Sequence, residues 1–233
     1  LRKYLANLGY GTRREVLYLF QHGRITHRNG AALLPDDRVP HHDICVDDAP
    51  LDPPPMSVIV LHKPVGYVCS TSDPVNPLIY DLLPPRFLQR SPIMSPVGRL
   101  DRETSGMLVI TDDGQLNHRL TSPRSHVPKT YTVTVDQPLS GSEAGQFASG
   151  TLLLESDDQP LLPAELHQIS PTQARVILHE GRYHQIRRMF AAVGRHVVAL
   201  QRTAIGALPL GDLAEGTWRV LTTDDVTQLK TAP

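Results

Sequence analysis

Residues 98–114 read GRLDRETSGMLVITDDG. Met107, Leu108, Val109 and Ile110 form an unbroken apolar run. Thr104, Ser105 and Gly106 precede it, and Asp112, Asp113 and Gly114 close it. Four apolar residues bounded by turn formers predict a buried strand. Asp113-Gly114 is a turn signal, and an Asp ahead of a helix also suits its N-cap. Asp101 therefore falls on a loop feeding a core strand, where a rigid scaffold can hold one carboxylate. Taken alone, such an Asp reads as a turn or capping acid.

Outward from this stretch, VIVL at 58–61 predicts a second buried strand, followed by a fixed turn at Lys63-Pro64 and Gly66. A polar, irregular segment with Asp73-Pro74 and Asn76-Pro77 turns comes next, then a short apolar element at 78–83 and a loop to residue 95. Downstream, 115–121 fits a short helix. His118, Arg119, Arg124 and His126 place cations near the central stretch. KTYTVTV at 129–135 alternates with period two, so Tyr131, Val133 and Val135 share one buried face. A loop and helix are expected over 139–150, and strands at 152–154, 164–169, 174–178, 197–200 and 219–221. Helices are expected at 183–193, stopped by Gly194, and at 222–229. Many strands with few helices between them predict a large mixed, mainly antiparallel sheet with flanking helices, an α+β design.

The first 52 residues have a different character. Leu1, Tyr4, Leu5 and Leu8 lie at helical spacing, and Gly9 and Gly11 stop that helix. Thr12 and Glu15 form a capping box for a second helix that carries Val16, Leu17, Leu19 and Phe20. Ile25-Thr26-His27 reads as a strand, Asn29-Gly30 as a tight turn, and 31–34 as the return strand. Ile44-Cys45-Val46 is one more strand. Pro53-Pro54-Pro55 is a semi-rigid spacer. The division is a small domain at 1–52, a linker at 53–57 and a large domain at 58–233.

The net charge of −1 hides strong segregation. Residues 1–30 hold six basic residues and one acid, 31–56 hold one basic residue and six acids, and 180–202 hold five Arg and one Glu. Charge so segregated is read locally. Arg13 and Arg14 occupy a helix's first turn, where the macrodipole disfavours cations, and phosphate oxygens supply a reason for them to be there. Only two cysteines occur, with no CxxC pairing and no HExxH. A disulfide framework and a cysteine-based zinc site are therefore not expected, and both cysteines read as small hydrophobes in a reducing compartment. No apolar run approaches the length that spans a bilayer, and no signal peptide is visible. The expectation is a soluble cytoplasmic protein. The chain starts at Leu1 rather than Met, which leaves room for a trimmed N-terminal address.

GRLDRETSG resembles the catalytic motif of the RNA pseudouridine synthases. The resemblance continues through KTY at 129–131, EGRYHQIRRMF at 180–190 and LQRTAIG at 200–206, and HKPVGY at 62–67 is similar to that family's opening motif. Residues 1–30 resemble the S4 RNA-binding domain. Within the family the pattern looks most like the bacterial enzymes acting on 16S rRNA. Together these resemblances imply a small S4-like RNA-binding domain followed by a catalytic domain. They also imply isomerisation of a uridine in ribosomal RNA, at uridine 516 of 16S rRNA, without a metal or organic cofactor. The implied partner is ribosomal RNA or a small-subunit assembly particle, bound by a monomer with no membrane contact. Asp101 is implied as nucleophile, Tyr131 as the residue stacking on the base or removing a proton, and Arg187 as the cation paired with Asp101. A partly dry pocket pushes a carboxylate towards its neutral form, and a paired cation opposes that. Adjacent helix positions do not share a face, so only one of Arg187 and Arg188 is expected at Asp101. Close members carry Lys at the Arg187 position, and Lys does not fork as Arg does. Arg99, Leu200, Arg188 and His184 are implied to touch substrate, and Arg2, Lys3, Arg13, Arg14, Arg24 and Arg28 to touch RNA. Competing readings are a synthase acting on a 23S rRNA stem-loop, a non-catalytic S4-type RNA-binding protein, and a glycoside hydrolase using Glu103 as its second carboxylate.

Overall fold

The computed structural model describes residues 1–122, 125–155 and 157–231. Arg124, one of the cations expected near the central stretch, lies outside them.

The chain opens with α1 (Arg2–Asn7) and α2 (Arg13–Gln21), then a three-stranded sheet of β1 (Ile25–His27), β2 (Ile44–Val46) and β3 (Ala49–Pro50) in that order. The Thr12–Glu15 capping box is present at the start of α2. Leu5, Val16, Phe20, Ile25, Leu33, Ile44 and Val46 pack into a cluster of their own. The expected return strand at 31–34 shrinks to one bridge between Thr26 and Ala32. Pro35 and the Asp37 carboxylate, which accepts from Leu34 N at 2.7 Å, turn the chain away, so β1 pairs along its length with β2.

The remaining chain builds one nine-stranded sheet. Its strands are β4 (Val58–Lys63), β5 (Ser95–Pro96), β6 (Ser105–Thr111), β7 (Lys129–Val135), β8 (Glu165–Ser170), β9 (Gln173–Leu178), β10 (Val197–Ile205), β11 (Leu208–Pro209) and β12 (Trp218–Val220). The main path runs β12-β4-β6-β10-β7-β9-β8, with β5 on β6 and β11 on β10. β6 and β10 are parallel, and the other pairings are antiparallel. This is the mixed, mainly antiparallel α+β sheet that the strand pattern predicts.

The unbroken runs VIVL and MLVI are explained by burial on both faces of the sheet. Ile59, Leu61, Leu108 and Ile110 enter one cluster, while Val58, Val60, Met107 and Val109 enter another. Each fully buried side chain of this kind contributes about 1.5–3 kcal/mol. The first cluster is covered by Ile79, Tyr80, Phe87 and Met94 from the segment between β4 and β5. Phe147 from α4 (Glu143–Ala148) and Ile186, Met189 and Phe190 from α5 (Gln185–Ala192) complete the cover. The second is covered by Leu116 and Leu120 of α3 (Gly114–Thr121) and by Leu229, just after α6 (Thr223–Gln228). Asp113 caps α3, accepting from Gln115 N and Leu116 N. β7 alternates as its sequence demands, with Tyr131, Val133 and Val135 buried.

The last long strand, expected at 197–200, runs on to Ile205 as β10, and two further departures have a local cause. Residues 152–154 form no strand, because Leu152 and Leu154 pack into the core from an irregular segment. α5 starts at Gln185, because His184 sits in the left-handed region (φ 48°) and breaks the helix before it.

Candidate active site

The loop at 98–104 approaches β6 under constraint from several sides. Thr104 N donates to Asp101 O at 3.0 Å, and Gly66 N donates to Arg102 O at 2.8 Å. Lys63, fully buried, donates from Nζ to the carbonyls of Pro64 and Thr104, each at 2.8 Å, and to Arg102 O at 3.4 Å. Burial pushes its pKa down. Leu100 N reaches Cys69 Sγ at 3.5 Å. The sequence leaves Lys63 open between exposed and functional; its position shows it as the tie that holds the Asp101 loop to β4. At the end of the loop, Gly106 has φ +105°, and a Cβ there would stand 2.3 Å from Arg202 O. Only glycine lets β6 and β10 run parallel at this separation.

The result is a cavity of about 560 Å³ lined by Asp101, Tyr131, Leu200, Arg99, His184 and Thr104, among others. The Asp101 side chain is about one-third exposed (32%). Tyr131 and Leu200 are nearly buried and come from neighbouring strands, with Tyr131 opposite Arg202 and Val133 opposite Leu200. Three segments far apart in sequence thus meet around one carboxylate.

The basic group beside Asp101 is not the expected one. His184 Nε2 stands 3.5 Å from Asp101 Oδ1 and carries charge there only when protonated. Arg187 instead donates to Glu103 O at 3.0 Å and Val197 O at 3.1 Å. The physical reason lies in α5, which turns Ile186, Met189 and Phe190 into the core. That fixes the direction of position 187, and the two carbonyls accept from its guanidinium. Arg187 therefore touches the Asp101 loop through backbone, not through the carboxylate.

Arg188 also departs from its expected place. It pairs with Asp157 at 2.6 Å and does not line the cavity. Arg182 joins the same network through Asp157 (2.9 Å) and Glu180 (3.1 Å). The Arg188 guanidinium, then Arg182, holds the Asp157 carboxyl below its usual range. Glu103 is exposed, pairs with Arg102 at 3.0 Å and does not line the cavity, so it is not positioned as a second carboxylate across a scissile bond. His118 and Arg119 are exposed on α3 and do not line the cavity either.

Sequence reasoning missed two cavity residues. Arg202 is 3% exposed, and its Nε donates to Met107 O at 2.8 Å. Lys129 donates to Val127 O at 3.0 Å; burial, then the neighbouring Arg202, pushes its pKa down to about 8. The available signal was a cation at an inward position of an otherwise apolar strand. Tyr183 is a third addition at the rim, 74% exposed and stacked on His184 at 3.8 Å.

Of the expected RNA contacts, Arg2, Lys3, Arg13, Arg14 and Arg28 are exposed and make no side-chain hydrogen bond or ion pair among the described residues. Arg24 is different, being forked onto Asp47 at 2.6 and 2.7 Å. This N-terminal unit packs against the segment at 85–91. Ser91 N donates to Asn7 O at 2.9 Å, and Arg86 binds Asp52 at 2.6 Å and lies over Tyr10. Among the described residues no helix is long and apolar enough to cross a membrane.

Residues 57–192 match the family model described as RNA pseudouridylate synthase. The chain is 45% identical over 190 residues to ribosomal small subunit pseudouridine synthase A of Escherichia coli (strain K12), covering 81% of this chain and 80% of that protein. It is 37% identical to the protein of the same name from Vibrio cholerae, covering 98% of each. Among solved structures, a crystal structure of a pseudouridylate synthase superposes with a TM-score of 0.69 at 33% identity, covering 98% of both chains.

Proposed function

The chain belongs to the RNA pseudouridylate synthase family, and on that premise we propose that it converts one uridine of small-subunit ribosomal RNA, uridine 516 of 16S rRNA, to pseudouridine. Asp101 is the nucleophile. The observation that carries the reading is that Asp101, Tyr131 and Leu200 line one and the same cavity. A base stacked inside a folded RNA cannot reach a carboxylate set in a cavity wall, so the target nucleotide everts into the cavity. Tyr131 stacks on the base, and Leu200 packs against it. The Asp101 carboxylate then meets C1′, either bonding to it as a sugar ester or stabilising its cationic form while C2′ loses a proton that it regains when C5 bonds to C1′. His184 steadies the carboxylate, and Arg187, through Glu103 O, fixes the loop that carries it.

Residues 1–52 form an S4-like RNA-binding unit, joined through 53–57 to the catalytic unit at 58–233. Arg2, Lys3, Arg13, Arg14 and Arg28 contact phosphates, and Arg99 contacts the nucleotide at the cavity mouth. The protein works as a cytoplasmic monomer on 16S rRNA or on a small-subunit particle.

The test is to treat 16S rRNA, 23S rRNA and small-subunit particles with wild-type protein and with Asp101→Asn, and to map pseudouridine by carbodiimide labelling. The wild type should modify one 16S uridine, and the variant should bind RNA equally while modifying nothing. Residual modification by Asp101→Asn removes the nucleophile assignment, modification confined to 23S rRNA removes the small-subunit assignment, and release of free uracil makes the protein a hydrolase.

A further inference from the structure

Arg202 is a guanidinium with almost no solvent and no carboxylate. It is 3% exposed, it makes no ion pair among the described residues, and its Nη2 has no partner. Thr104, 2% exposed, likewise has an Oγ1 without a partner. Both line the cavity that holds Asp101 and Tyr131. Lys129 lines it too and spends one N–H on Val127 O, leaving two. Buried polar groups nearly always find partners, and a buried charge without one is costly. Two such groups lining one cavity, with the spare N–H groups of Lys129 beside them, call for an acceptor that arrives with the substrate.

Register shows which part of the substrate that is. Arg202 stands directly across from Tyr131 in the β10–β7 pairing, so both side chains leave the sheet on one face. A base stacked on Tyr131 presents its edge to Arg202. We propose that Arg202, assisted by Lys129 and Thr104, receives the negative charge that the uracil ring carries once its bond to the sugar has broken.

This rests on the function proposed above. When N1–C1′ breaks, the bonding pair stays on the base and spreads over N1, O2 and O4. C1′ is satisfied by an Asp101 oxygen, or by a double bond to C2′ whose lost proton returns when C5 attacks. The base turns while held as an anion, and C5 then bonds to C1′. The C5 proton is lost and N1 takes one up, so uridine and pseudouridine have the same atoms. Fixed donors in a dry cavity stabilise such a charge far better than water-exposed ones, and removing one typically costs 10²–10³-fold in rate. A phosphodiester, by contrast, carries its charge before and after the reaction and is served by exposed cations such as Arg99 at the mouth.

The experiment compares single-turnover rates at saturating enzyme for wild type, Arg202→Gln and Lys129→Gln. The substrates are target RNA containing uridine or 5-fluorouridine at the modified position. Products are read by nuclease digestion and mass spectrometry, and RNA affinity is measured separately. Fluorine stabilises the departing ring anion by itself. On the uridine RNA, Arg202→Gln should lose about 10²–10³-fold with affinity within about threefold. On the fluorinated RNA that deficit should shrink at least tenfold. Equal deficits on both RNAs, or weakened affinity with an unchanged saturated rate, overturn the proposal. If Arg202→Gln fails to fold, Lys129→Gln carries the same comparison. A wild type that makes no pseudouridine refutes the function itself, whereas an active wild type with leaving-group-independent variants refutes only this role.

Discussion

The Lys63 ammonium lies 2.8 Å from the Thr104 carbonyl oxygen, with no solvent exposure at all. It joins the first strand of the sheet to the loop that presents Asp101. Lys63→Met should leave the carbonyls of Thr104 and Pro64 without their donor. We expect a loss of about 2–3 kcal/mol in stability, read by urea unfolding, together with a clear fall in the saturated rate. An unchanged rate in a folded Lys63→Met protein would mean that the loop holds its shape without this tie.

Gly106 sets the distance between the two parallel strands behind the site. Alanine there would place Cβ 2.3 Å from Arg202 O and 2.7 Å from Arg202 N, at a φ of +105° that L residues rarely adopt. Backbone atoms cannot yield as a flexible side chain can. Gly106→Ala should cost more than about 3 kcal/mol, seen as insolubility or a large drop in Tm. A variant with native Tm would show that β6 and β10 can separate at no cost.

Much of this fold could be read because burial leaves a pattern in apolar residues. Two-sided burial wrote VIVL and MLVI, and one-sided burial wrote KTYTVTV. Local capping chemistry marked Thr12 and Asp113. What failed was reach. Motif position singled out Arg187 as the partner of Asp101, but could not show that the carbonyls of Glu103 and Val197 lie within its span. The strand expected at 31–34 was cut off by a competing side-chain contact from Asp37. Lys63 and Arg202 were illegible because long cations are seldom fully buried. For Lys63 the three carbonyls gathered around its Nζ explain the burial, whereas Arg202 has only Met107 O and keeps Nη2 without a partner.

Lys129 gives the site a pH signature. Its pKa of about 8 in the folded protein lies below the ordinary 10.5, chiefly through burial. Between those two values the unfolded chain binds the proton that the native chain has released. Stability contributed by this group therefore rises with pH from about 8 to 10.5, and the cost of burying the charge is fully present below 8. Catalysis should run the other way, since the charge that helps the base is lost as pH climbs through about 8. Lys129→Arg, which keeps its charge, should shift the alkaline fall in the single-turnover rate to higher pH. Lys129→Met should lower the rate and remove this component of the pH dependence of unfolding. Superimposable pH profiles for all three proteins would take Lys129 out of the chemistry.

Arg13 and Arg14 stand exposed in the first turn of α2, unpaired among the described residues. A helix N-terminus repels cations, so their presence calls for an external anion. Removing one cation that neutralises a phosphate should reduce the slope of log K against log salt by about 0.7–0.9. The double variant Arg13→Ala/Arg14→Ala should therefore bind RNA more weakly and with a slope shallower by roughly 1.5. Its rate at saturating RNA should match the wild type, because neither residue lines the cavity. Arg24→Ala provides the contrast: its fork is engaged by Asp47, so its removal should leave the slope nearly unchanged. A double variant with the wild-type salt slope would show that the basic face of α2 meets only solvent, and RNA capture would then have to be sought on the rim that carries Arg99 and Tyr183.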